Sequence, residues 1–145
     1  MINDRVVDSS VVAKWVLAKP DSAQALRVIT DSVPARRDGH LYVLDLAMVE
    51  VTNVIWTRFH RRLLTLAEAQ QALILPQRAD AKVVPCLPLL TPAFAIAAQF
   101  DKAVYDALFV AAARDLGIGG VTADEPLVRA VGAGYPEIQL LQNWT

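Results

Sequence analysis

Four carboxylates stand where a carboxylate is costly. Asp106 interrupts the apolar run "AVYDALFVAAARDLG" (103–117), and Glu50 stands between Val49 and Val51. Asp8 directly follows the short apolar run "RVV", and Asp124 comes just after "GGVT". Ionised carboxylates are rarely buried without a partner. Gathered in a partly dry pocket, these four would repel one another severely. A hard divalent cation resolves that repulsion, because Mg2+ takes oxygen ligands, keeps several waters and needs only a few carboxylates. Held in this way, Mg2+ or Mn2+ activates water and stabilises charge developing on a phosphate. Each acid also has a plainer use. Asp8 and Asp124 suit helix N-caps, and Glu50 and Asp106 could face solvent or pair with arginine. Spacing alone leaves both uses open.

The elements that must carry these residues alternate between short apolar runs and longer helical patterns. A strand is expected at 5–7, ending at Asp8. A helix then opens with Ser9 or Ser10 as its N-cap and stops at Pro20. "DSAQALRVITDSVP" reads as a second helix, capped by Asp21 and stopped near Pro34, followed by a turn at "RRDGH" and a second strand, "LYVLD". In "LAMVEVTNVIWTRFHRR" the apolar positions Met48, Val51, Ile55 and Phe59 have helical spacing. Thr65 and Glu68 form a capping box for the next helix. "KVVPCL" reads as a third strand; Thr91 with Pro92 opens a helix through "AFAIAAQF"; and "VYDALFVAAARDL" is a helix closed by Gly117. "GGVT" is a strand, "DEPLVRAVG" a short helix and "IQLL" a last strand. No repeat, linker or low-complexity tract interrupts residues 1–145, which read as a single domain. The alternation predicts an α/β fold with a mainly parallel sheet and helices on both faces. Such sheets bind ligands beyond the carboxyl ends of their strands, where Asp8 and Asp124 fall.

Composition narrows the function classes. The apolar residues AVILMFWYC make up 54% of the 145 residues, which points to apolar surface hidden in a homodimer or against a partner. Helices around 54–73 are the expected dimer surface. The net charge of −1 gives no global basic field, so any nucleic-acid site must rest on a local cluster. One cysteine, Cys86, excludes an internal disulfide framework and fits a reducing compartment. "MINDRVVDSS" lacks the apolar core of a signal peptide, and no apolar run approaches the ~18 residues of a membrane span. A soluble cytoplasmic protein is expected.

Four segments, in order and at matching separations, resemble those of a PIN-domain protein of the VapC-type toxin group. They are "VVDSSVVAKWVL" (6–17), "DLAMVEVTNVIW" (45–56), "AVYDALFVAAARDLG" (103–117) and "VTADEPLVRA" (121–130). The resemblance implies a three-layer α/β/α sandwich, a metal-dependent endoribonuclease and a cognate antitoxin. It assigns the acidic positions to Asp8, Glu50, Asp106 and Asp124. Asp8, Asp106 and Asp124 are the expected ligands of Mg2+ or Mn2+, and Glu50 acts through bound water or as a further ligand. One departure is Leu44, where many relatives carry proline before the aspartate.

Other residues are candidates for support. The hydroxyls of Ser10 and Thr122 lie two residues from Asp8 and Asp124, where they could orient a carboxylate or simply cap a helix. Asn53 follows Glu50 by three residues and shares roughly its helix face. Lys14, one turn beyond Ser10, could reach a phosphate. "RFHRR" is the densest basic cluster. Its Arg58, Arg61 and Arg62, with Arg36 and Arg37, are candidate RNA-backbone contacts, although positive charge also suits a helix C-terminus. His40 and His60 lack ligand spacing. Trp15 and Trp56 read as core or interface, and Trp144 as a tail anchor. Three alternatives compete with an RNA-cleaving toxin: a PIN nuclease of RNA processing without an antitoxin, a phosphoacceptor-like module with an acidic pocket, and a non-catalytic interaction protein. A phosphoacceptor would place two acids after its first strand and a lysine after a later one. "DSS" offers one acid, and no lysine follows "VTADEP".

Overall fold

In the computed structural model, which describes residues 4–17, 22–32, 39–78 and 80–144, five short strands form one parallel sheet. In chain order the elements are β1 (Arg5–Val7), α1 (Ser9–Val16), α2 (Ser22–Ser32), β2 (Leu41–Leu44), α3 (Asp45–His60) and α4 (Leu66–Arg78). There follow β3 (Ala81–Val84), α5 (Leu90–Phe100), α6 (Val104–Leu116), β4 (Gly119–Thr122), α7 (Glu125–Val131) and β5 (Ile138–Leu140). The strand order is β3-β2-β1-β4-β5. The chain therefore steps outward from β1 to β3, then crosses back to the other side of β1. That reversal opens a crevice between the carboxyl ends of β1 and β4.

The two-residue period of a strand divides the core. Val6 belongs to one buried cluster with Leu108, Phe109 and Ile96, under α5, α6 and α7. Its neighbour Val7 belongs to the other, with Val12, Trp15, Val51 and Ile55, under α1 to α4. Helices thus cover both faces, and the expected α/β/α sandwich is present. Ala107, Ala111, Ala112 and Ala113 are all buried, and such small side chains let α6 pack closely on its neighbours. Gly120 is required by the same closeness: a Cβ there would stand 2.6 Å from Phe109 Cζ.

Several boundaries differ from expectation. The N-cap of α1 is Asp8, not Ser9 or Ser10. Asp45 begins α3 rather than ending β2. The third strand starts earlier and ends at Val84, because Pro85 has no N–H to continue the ladder and a 3-10 turn follows at Leu87–Leu89. The last strand ends at Leu140, with Leu141 opening a second 3-10 turn. The Thr65–Glu68 capping box is formed in both directions, at 3.1 and 3.3 Å. Trp15 is core, and its indole donates to the Ala25 carbonyl at 2.8 Å. Trp56 and Phe59 are not core, being 54% and 37% exposed. Trp144 packs against the second cluster, as a tail anchor would. Asp21, Pro20 and Pro34, with Arg36 and Arg37, lie outside the described residues. No described helix is long and apolar enough to cross a membrane.

Candidate active site

The crevice at the switch point is a cleft of about 240 Å3, lined by Asp8, Ser9, Ser10, Ala13, Glu50, Val51, Val54, Tyr105, Asp106 and Asp124. All four acids of the sequence reading meet there. They arrive from four elements: the end of β1, the middle of α3, the first turn of α6 and the start of α7. Among the described residues, no lysine or arginine lines this cleft.

Asp8 is the most constrained. One of its oxygens, Oδ1, accepts the Ser9 N–H at 2.9 Å, which caps α1. The other, Oδ2, accepts from Ser10 Oγ at 2.8 Å and Thr122 Oγ1 at 2.7 Å. Those hydroxyls are themselves held by backbone donors, Ala123 N–H on Ser10 Oγ and Asp124 N–H on Thr122 Oγ1. Each hydroxyl has one proton, so accepting from the backbone leaves that proton for Asp8. Thr122 is fully buried. Its place opposite Asp8 follows from the β1–β4 register, in which Val7 pairs with Val121. Asp124 caps α7 by accepting the Leu127 N–H at 3.0 Å. The helix-capping use and the cleft use therefore hold together for Asp8 and Asp124: a cap position at a strand's carboxyl end is also a cleft position.

Electrostatics mark the cleft as strained. Burial holds the Asp8 carboxyl above its ordinary value, its three hydrogen bonds oppose that, and Asp124 adds repulsion. Glu50 is raised by burial, then by the Asp8 charge and more weakly by Asp106; a 3.4 Å hydrogen bond from Ser9 Oγ offsets part of this. Asp106 is raised by burial, then by Asp124 and Asp8, with Lys102 partly compensating. Among the described residues, no three acidic, histidine or cysteine side chains form a ready-made metal cage. The donor set is nonetheless all oxygen, with no lysine or arginine among the described lining residues. That suits Mg2+, which retains several waters, better than a cation needing a full protein shell.

The supporting residues divide. Ser10 and Thr122 act on Asp8. Asn53 is exposed and does not line the cleft. Three residues turn a helix to about 60° short of a full circle, whereas four overshoot by only about 40°, so Val54 takes the place beside Glu50. Lys14 does not line the cleft either, its helix contributing Ala13 instead. Arg58, Arg61 and Arg62 lie at the far end of α3, outside the cleft. Arg61 is three turns beyond Glu50 on nearly the same side of the helix, roughly 16 Å along its axis. Sequence reading missed two residues. Ser9 was considered only as a cap, yet its hydroxyl also donates to Glu50 Oε2 in a long contact of 3.4 Å. Tyr105 lines the cleft and is 66% exposed. An aromatic residue beside an acid in a helix's first turn was the available signal.

The PIN domain family model matches residues 5–132, a span that includes all four acids. The chain belongs to the PIN-domain family. Ribonuclease VapC3 of Pyrobaculum aerophilum is 34% identical over 124 residues, covering 84% of this chain and 90% of that protein. In fold, this PIN domain resembles the crystal structure of PAE2754 from the same organism (TM-score 0.71, 21% identity, 96% of this chain and 84% of that one). It also resembles a chain of a toxin–antitoxin complex from Klebsiella pneumoniae (TM-score 0.63, 14% identity, 94% and 97%).

Proposed function

We propose that this PIN domain is a metal-dependent endoribonuclease of the VapC type, the toxin of a toxin–antitoxin pair, working in the cytoplasm. The observation that carries the reading is the meeting of Asp8, Glu50, Asp106 and Asp124 in one cleft with no basic lining residue among those described. The ribonuclease name of a relative at 34% identity supports RNA as substrate. Asp8, Asp106 and Asp124 would hold Mg2+ or Mn2+, with Glu50 beside them. When bound, the cation supplies water activation and neutralisation of charge at the scissile phosphate. The chain's own residues do the positioning. Ser10 and Thr122 aim Asp8. Ser9 donates to Glu50, whose raised carboxyl accepts a proton at a higher pH than an ordinary glutamate. Arg61 and Arg62 anchor RNA backbone away from the cut.

The antitoxin contributes an arginine or lysine to the cleft, since a cation is what four crowded carboxylates lack. The Klebsiella complex supports a protein partner of this kind. Exposed Trp56, Phe59, Leu63 and Leu66 support a homodimer through α3 and α4.

Purified protein should cut structured RNA with Mg2+ and stop with EDTA. Cutting unaffected by EDTA would remove the metal, and no cutting of any RNA would remove the nuclease.

A further inference from the structure

A second depression adjoins the acidic cleft. It is an apolar groove of about 710 Å3 between the starts of α3 and α6 and the turn after β3, walled by Leu46, Val49, Leu90, Val104, Leu108 and Tyr105. Tyr105 lines both spaces. The groove is braced, not incidental: Asp45 Oδ1 accepts the Leu46 N–H at 2.7 Å and the Cys86 N–H at 3.1 Å, tying the start of α3 to the turn after β3.

We propose that this groove is a nucleobase subsite, with Tyr105 as the wall on which the base beside the scissile phosphate stacks. The inference rests on the ribonuclease reading above. A phosphate held at the four carboxylates carries its sugar and base with it. The acidic cleft, lined by four carboxylates, offers the base no apolar surface to match that of the groove. The groove, mainly apolar with Asp45 and Cys86 at its edge, is one side chain away, across Tyr105, and offers a base apolar walls and an aromatic ring. Single-stranded RNA is bound by stacking splayed bases on such side chains. Tyr105 is 66% exposed at the border of the two spaces, where a base can reach it. Tyr105 is thus a positioning residue that seats the nucleotide next to the bond to be cut.

The test is steady-state cleavage of a short labelled RNA by wild type, Tyr105→Phe and Tyr105→Ala, with binding of the same RNA measured in EDTA. A matching RNA with an abasic nucleotide at the cleavage site completes a double-mutant cycle. Tyr105→Ala should raise KM and weaken binding on the order of tenfold, with kcat little changed, and Tyr105→Phe should restore both. The abasic RNA should lose the same factor with wild type and lose nothing further with Tyr105→Ala. An unchanged KM in Tyr105→Ala, or an abasic penalty equal in both proteins, overturns the subsite and leaves the groove to a protein partner. Wild type that cuts no RNA fails the ribonuclease reading itself, and that is known before any variant is compared.

Discussion

The cleft at the amino ends of β1 and β4 is about 700 Å3, and the cleft at their carboxyl ends about 240 Å3. The larger one holds Asp4, Arg5, Arg114 and Glu137, two acids and two bases. Its charges are of both signs, and three of them are hydrogen-bonded locally. Arg5 donates to the Asp4 carbonyl at 2.7 Å, Asp4 accepts the His40 N–H at 2.8 Å, and Arg114 donates to the Tyr135 hydroxyl at 3.2 Å. The smaller one holds four acids of one sign, and three of them are pushed above their ordinary values by burial and by one another. Size does not choose between the two ends. Like charge does: the carboxyl end gathers four acids whose repulsion a ligand can relieve, whereas the amino end mixes both signs.

The sharpest way to break this comparison is to neutralise acids at each end. Asp8→Asn, Asp106→Asn and Asp124→Asn should each lower RNA cleavage by at least about 100-fold, and Glu50→Gln should be strongly impaired. Glu137→Gln, at the other end, should leave cleavage within a few-fold of wild type. Equal losses at the two ends in a cleavage assay would dissolve the distinction.

Next in size is the support beneath Asp8. Thr122→Val keeps shape but removes a buried hydroxyl that serves Asp8 Oδ2 and the Asp124 N–H together. An unpaired buried donor costs about 1–3 kcal/mol, so thermal melting should fall by several degrees and cleavage by about 10–100-fold. Thr122→Ser, which retains the hydroxyl, should recover most of the activity. Activity lost equally in both variants would mean that Thr122 matters only for packing.

What could be read from the sequence follows the range of the interaction. The four acids were legible because each is anomalous against its own neighbours: Asp106 and Glu50 in apolar helices, Asp8 and Asp124 at the ends of strands. The strand–helix alternation likewise carried the sandwich. Thr122 as a donor to Asp8 was not assured, since it depends on pairing between segments more than a hundred residues apart. Asn53 does not line the cleft, because a three-residue step misses Glu50's stripe by about 60°, an angle that rough helical spacing hides. Trp56 and Phe59 have helical periodicity, but periodicity finds an apolar face without saying whether the core or a partner covers it. Tyr105 was masked by the carboxylate next to it.

A weaker effect should follow from the basic end of α3. Arg61→Ala with Arg62→Ala should weaken RNA binding in EDTA and reduce the slope of log affinity against log salt by about 1–2. Catalytic rate at saturating RNA should persist, because Arg61 lies roughly 16 Å along the helix axis from Glu50 and Arg62 follows just past the helix end. An unchanged salt slope would return both residues to the role of charges that suit a helix C-terminus.

The smallest effect tests the repulsion directly. Asp8, Glu50 and Asp106 have folded-state values raised chiefly by burial and further by neighbouring carboxylates. In the unfolded chain these groups are separated and titrate in the ordinary range. Between the two ranges the folded state therefore holds more protons than the unfolded one. Metal-free stability should fall as pH rises from the ordinary carboxylate range through the raised values, and this cluster should be least favourable near neutrality. Asp106→Asn removes one charge from the set while keeping its size. It should melt higher than wild type in EDTA at neutral pH, although it has lost activity. The difference should shrink at acid pH, where wild type is protonated too. Mg2+ at ~100 times its dissociation constant should stabilise wild type by about 2.7 kcal/mol through linkage, and the mutant by less, since it has given up a ligand. The measurement is a melting series of both proteins across pH, with EDTA and with Mg2+. If Asp106→Asn melts below wild type in EDTA at every pH and Mg2+ shifts neither protein, the four acids share a cleft without sharing a charge problem, and the contrast between the two ends of the sheet loses its physical basis.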